Sequence, residues 1–98
     1  ILERGRLRLD LDAYRVAVGE RSEELSATER NILAALLGAP NKVFSRGELM
    51  DRAYVDGAVV SERTIDSHVK RIRKKLAALG CDAIETVHGV GYRLGAVE

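Results

Sequence analysis

The chain has 98 residues, 46% hydrophobic and 32% charged, with a net charge of +1 and a sequence pI near 8.1. That is enough for one core in one domain, and the composition is that of an ordinary globular fold rather than a disordered or fibrous one. A single cysteine, Cys81, excludes an intrachain disulfide and a cysteine-rich zinc site, and no apolar run approaches the roughly 18 residues of a membrane span.

Leu7, Leu9 and Leu11 alternate with Arg8 and Asp10, the period of a half-buried strand. Tyr14, Val16 and Val18 repeat that alternation before a turn at Gly19-Glu20, and a short third strand ends near Leu25. Ile1-Leu-Glu-Arg-Gly5 shows no structural pattern, and a start on Ile1 rather than Met reads as a domain cut from a longer protein. Ser26-Ala-Thr-Glu29 has the spacing of a capping box and opens a helix with Ile32, Leu33, Leu36 and Leu37 inward, stopped by Gly38-Ala-Pro40. A second capping box, Ser45-Arg-Gly-Glu48, starts a short helix whose apolar side is Leu49, Met50 and Ala53. Residues 55–60, with Gly57 among them, read as a loop. Ser61 is then expected to cap a long helix running to Gly80. The tail from Ile84 to Leu94, rich in strand formers and broken by Gly89 and Gly91, reads as a hairpin with an irregular turn.

The long helix is the informative one. Ile65, Val69, Ile72, Leu76 and Leu79 recur every three or four residues and form one apolar stripe. Arg63, Ser67, Lys70 and Lys74 fall opposite, with Arg71 and Arg73 on the flanks. From Arg63 to Lys75 there are six bases and one acid, Asp66, a local charge of +5, whereas Asp10 to Glu62 carries ten acids and six bases, net −4. The positive charge is therefore concentrated where an amphipathic helix can pack inward and lay its outer face on a polyphosphate. Most charge-rich helices are merely solvated surfaces. Here a short helix, a loop, a basic helix and a glycine-containing hairpin follow in the order of a winged helix-turn-helix, in which the second helix enters the major groove.

Other chemistry is poorly supplied. His68 and His88 lie in different elements with no cysteine or carboxylate at metal-ligand spacing, which argues against a metal site. Ser67 and His68 are adjacent on a helix and point about 100° apart, so they form no nucleophile–base pair. Gly89-Val-Gly91 lacks the lysine of a phosphate loop and reads as a turn. Tyr54, partly in the core, has a hydroxyl placed to reach a backbone phosphate. No acid, base or nucleophile constellation points to an enzyme, and no cofactor is expected.

The segments Leu25-Ser-Ala-Thr-Glu29, Val43-Phe-Ser-Arg46, Glu48-Leu49, Arg63-Thr-Ile-Asp-Ser-His68, Ile72-Arg-Lys-Lys-Leu76 and Thr86-Val-His-Gly-Val-Gly-Tyr-Arg93 together resemble the effector domain of OmpR/PhoB-type response regulators, over about residues 7 to 95. The resemblance implies an α+β winged helix-turn-helix: an N-terminal antiparallel four-stranded sheet, a three-helix core and a C-terminal hairpin wing. It implies a single DNA-binding domain over 1–98, with 1–6 a linker remnant and a phosphoacceptor receiver domain upstream. By matching position, Ser67, Arg71 and Arg73 would read bases from a recognition helix over about 62–79. Tyr54, Arg63, Thr64, His68, Lys70, Lys74 and Thr86 would contact the DNA backbone. His88, at the tip of a wing over about 84–94, stands where several members place arginine and would enter the minor groove. The loop Val55, Asp56, Gly57, Ala58, Val59 and Val60 would face RNA polymerase.

The expected function is sequence-specific double-stranded DNA binding in a two-component transcription regulator of a bacterial cytoplasm. The implied partners are direct-repeat DNA half-sites, RNA polymerase and, through the receiver, a sensor histidine kinase. No membrane partner is implied. The fragment would be a monomer off DNA and a tandem dimer on it. Two alternatives stand beside this reading: a winged-helix module devoted to protein contact, and the same fold in a membrane-anchored activator.

Overall fold

The computed structural model describes residues 1–54 and 61–95. The loop expected at 55–60 lies outside them. An antiparallel sheet comes first, in the order β1 (Leu2–Arg4), β2 (Leu7–Asp10), β3 (Arg15–Val18) and β4 (Arg21–Glu24). Three helices follow, α1 (Ala27–Gly38), α2 (Arg46–Ala53) and α3 (Arg63–Ala78), with the two-residue β5 (Phe44–Ser45) before α2. The chain then forms β6 (Ile84–Val87) and β7 (Gly91–Leu94), and a second sheet runs β5-β7-β6.

The alternation in β2 and β3 is realised as pairing. Leu7 faces Val18 and Leu9 faces Val16 across the ladder, and all four are buried on the side that meets α1. Ile32, Leu33 and Leu36 of α1, Leu49 of α2, Ile65, Val69, Ile72 and Leu76 of α3, and Leu94 of β7 complete one core. Both capping boxes form as their spacing requires: Ser26 and Glu29, and likewise Ser45 and Glu48, exchange side-chain to backbone bonds.

Four local details differ from the sequence expectations. Residues 2–4, which carry no legible pattern, pair with β2 as a fourth strand. Leu11 is not in β2, because Asp10 Oδ1 accepts the N–H groups of Asp12 and Ala13 and turns the chain. Tyr14 is not in β3 either; its φ is 54°, and its ring lies 4.3 Å beneath the Arg30 guanidinium. Ser61 is not the cap residue of α3: Glu62 holds that position with helical dihedrals and no side-chain cap bond, while Ser61 Oγ accepts from Arg63 N–H at 3.3 Å.

One buried ion pair joins the layers. Glu29, only 4% exposed at its side chain, accepts a 2.8 Å bond from Lys75 Nζ on α3, and the same ammonium donates to the Glu24 carbonyl at 2.7 Å. Burial pushes the Glu29 carboxyl up, but the Lys75 bond and the Ser26 N–H outweigh it and hold the group below the usual carboxylate value. At the far side, Arg4 Nε donates to the Gly95 carbonyl at 3.1 Å, and Gly95 N–H donates to the Ala83 carbonyl at 2.8 Å.

Candidate nucleic-acid interface

The sequence of α3 sorts its side chains by depth. Ile65, Val69, Ile72 and Leu76 are buried, and Arg63, Ser67, Lys70, Arg71 and Lys74 are exposed. Among the described residues, Arg63, Lys70, Arg71 and Lys74 make no side-chain hydrogen bond or ion pair. They lie along about 16 Å of helix axis. The apolar stripe is buried and these cations stand in water, free to exchange counterions for phosphates.

The other two bases of the stretch are held elsewhere. Lys75 is turned inward to Glu29. Arg73 reaches over to the wing, where Nη2 donates to the Ile84 carbonyl at 3.0 Å and to Thr86 Oγ1 at 2.6 Å. Its guanidinium carbon lies 5.4 Å from the centre of the Tyr92 ring. Arg73 and Thr86, assigned by resemblance to base and backbone contacts respectively, are thus brought together as partners of each other.

Tyr54 and His68 are also brought together. Tyr54 caps the C-terminal end of α2, and its hydroxyl lies 2.8 Å from His68 Nε2. His68 Nδ1 is buried without a hydrogen-bond partner among the described residues. Burial and then the Arg71 cation push the His68 imidazole below its usual value, against a weaker pull from Glu29. The ring is therefore neutral at pH 7. Thr64, half-buried in the first turn, donates its N–H to the Ser61 carbonyl at 2.9 Å.

Asp66 has a role the sequence did not suggest. Its Oδ1 accepts from Tyr92 Oη at 2.6 Å and from Arg46 Nε at 2.8 Å, tying α3 to β7 and to the start of α2. Those two bonds, the tyrosine's first, hold its carboxyl below the usual value. Its isolation as the single acid in a basic stretch was the available signal.

The wing is a tight turn. Val90 N–H donates to the Val87 carbonyl at 3.0 Å, and Gly89 takes φ +80°, a conformation costly for any residue with a Cβ. His88 and Val90 are exposed at the tip, Val90 at 50%. Gly91 is required for a different reason: a Cβ there would overlap the Phe44 carbonyl oxygen of β5. Among the described residues no His/Cys/Asp/Glu cluster is disposed to hold a metal, and no helix is long and apolar enough to cross a membrane. Cys81 is nearly buried, its thiol pushed up by burial.

Residues 20–94 match the family model described as "Transcriptional regulatory protein, C terminal". The phosphate regulon transcriptional regulatory protein PhoB of Rhizobium meliloti (strain 1021) is 40% identical over 95 residues, covering 96% of this chain and 42% of its own length. The chain thus spans less than half of the curated relatives it matches. Among solved structures, the DNA-binding domain of the response regulator AdeR, in complex with an intercistronic region, is 37% identical with a TM-score of 0.85 and covers 99% of this chain and 100% of its own. The Klebsiella pneumoniae RstA DNA-binding domain, in complex with an RstA box, is 25% identical with a TM-score of 0.76, over 96% and 95% of the two chains. The chain belongs to the OmpR/PhoB-type family of transcriptional regulatory C-terminal domains, a family of winged-helix transcription-factor domains rather than enzymes.

Proposed function

We propose that this domain binds double-stranded DNA with sequence specificity, laying α3 in the major groove and the wing on an adjacent groove. The carrying observation is the row Arg63, Lys70, Arg71 and Lys74, exposed and without side-chain partners among the described residues, on a helix whose opposite face is buried. The DNA complexes of AdeR and RstA, both close in fold, support the reading. Arg71, with Ser67 beside it, is the base-reading group; a bidentate arginine–guanine contact is worth about 1–3 kcal/mol of discrimination. Arg63, Thr64, Lys70 and Lys74 contact phosphates, and the neutral His68, its Nε2 on the Tyr54 hydroxyl and its Nδ1 buried, serves the backbone contact by holding Tyr54 in place. His88 at the wing tip faces the minor groove.

In the whole protein this domain is the effector of a two-component regulator in the cytoplasm. A receiver upstream answers to a sensor histidine kinase, the segment 55–60 faces RNA polymerase, and two copies occupy direct repeats while the isolated domain stays monomeric.

Selection from a random duplex pool at two salt concentrations tests the central claim. Enrichment of a short motif, ideally as direct repeats one helical turn apart, is the expected result. Arg71→Ala is expected to flatten one position of that motif, whereas Lys70→Ala weakens all sequences alike and makes the salt slope shallower. Salt-sensitive binding with no enriched motif would reduce α3 to an electrostatic surface and favour a protein-contact module.

A further inference from the structure

We propose that Arg73 is a positioning residue that fixes the wing against α3, and that it does not read bases. The inference rests on the DNA-binding reading above. An arginine grips a guanine edge through two parallel N–H bonds, either Nη1 with Nη2 or Nε with Nη2. Both forks need Nη2. In Arg73 that nitrogen donates both of its protons to β6, one to the Ile84 carbonyl at 3.0 Å and one to Thr86 Oγ1 at 2.6 Å. Neither fork is open while those bonds stand. Arg71, two residues earlier, is exposed and makes no side-chain hydrogen bond or ion pair among the described residues.

The placement explains what the bonds accomplish. β6 and β7 carry the wing, yet only Ile84, Tyr92 and Leu94 of its side chains, with Gly91, enter the interior. Apolar contact therefore fixes the base of the hairpin and leaves the stretch toward the tip to polar bonds. Asp66 holds β7 through the Tyr92 hydroxyl, and Arg73, seven residues and about 10 Å further along the helix axis, holds β6. Two attachment points on one helix fix an angle, where one would leave a hinge. The guanidinium beside the Tyr92 ring joins the two points into one assembly. The distance from the recognition face to the wing tip, and so the pair of grooves that can be engaged together, is then set before DNA arrives.

The deciding experiment compares the wild-type domain with Arg73→Ala and Thr86→Val in two readouts: backbone amide order parameters of residues 87–91 without DNA, and motif selection from a random duplex pool. For Arg73→Ala the wing amides are expected to fall from about 0.85 toward 0.6. Its selected motif should keep every base preference, with affinity lowered about tenfold. Thr86→Val removes one bond and keeps the shape, so about a threefold loss and the same direction of wing loosening are expected; it also decides the matter if Arg73→Ala fails to fold. Loss of preference at a single base pair with the wing amides unchanged would make Arg73 a base reader and overturn the proposal. Unchanged wing order in both variants would overturn it as well. A wild-type domain that selects no motif would sink the DNA-reading function, while the amide measurement would still judge the role of Arg73.

Discussion

The molecule holds its two antiparallel sheets by different means. The four-stranded sheet lays Leu7, Leu9, Val16 and Val18 on α1, and non-directional apolar burial keeps it there. The wing sheet also buries Phe44, Ile84, Tyr92 and Leu94, but its position is further set by directional bonds from Asp66 and Arg73 and by the backbone contact at Gly91. The first arrangement supplies stability and tolerates small shifts. The second adds directional bonds to its apolar burial and so fixes orientation, which is the property a groove-reading element requires.

Substitutions can break or sharpen that contrast. Leu9→Ala removes a fully buried side chain from the first sheet, and a loss of about 3 kcal/mol is expected in urea unfolding. A loss below about 1 kcal/mol would show that apolar burial is not what holds this sheet. Gly91→Ala presses a methyl group into the Phe44 carbonyl and should cost about 2 kcal/mol. Its calorimetric melting should drop while the amide shifts of β1 to β4 stay in place.

Lys75→Met leaves the Glu29 carboxylate buried and unpaired; because Lys75 is 31% exposed, we expect about 2 kcal/mol rather than the full cost of a broken interior pair. Adding Glu29→Gln should recover part of it, and a double variant worse than either single one would contradict the pairing.

Two smaller effects concern pH. The folded state holds the Asp66 carboxyl below its usual value, so it contributes stability at neutral pH that is lost as pH falls from about 4 through the folded value. Asp66→Asn should flatten the acid limb of a stability–pH curve, and an unchanged limb would remove Asp66 from the wing's attachment. His68 is likewise held below its usual value, so its contribution is complete above about 6.5 and declines as pH drops below that. His68→Gln should remove this slight slope; a slope that survives must come from another group.

The division between what could and could not be read from the sequence follows the range of the interactions. Both capping boxes join residues three apart, and the α3 stripe is a local period, so Ser26–Glu29, Ser45–Glu48 and Ile65 to Leu76 were legible. β1 and β5 were not, since strands of three and two residues show no period and exist only through their partners β2 and β7. The candidate site divides in the same way. The cationic face was evident from composition, but the withdrawal of Lys75 and Arg73 from it depends on Glu29, 46 residues away, and on Thr86, 13 residues away. The wing hairpin was anticipated from Gly89 and Gly91, whereas the overlap that makes Gly91 necessary is with Phe44, far earlier in the chain.

The bond from Arg4 Nε to the Gly95 carbonyl joins positions 91 apart in sequence and brings both margins of the fold to one corner. Tension applied between those margins would load that corner alone, and polypeptide attached at either one departs from the same place. A circular permutant that bridges residues 95 and 2 with a short glycine–serine link, opened at the exposed Gly19-Glu20 turn, is expected to fold with the same core. The order in which the chain visits its elements would then prove dispensable, and their contacts sufficient.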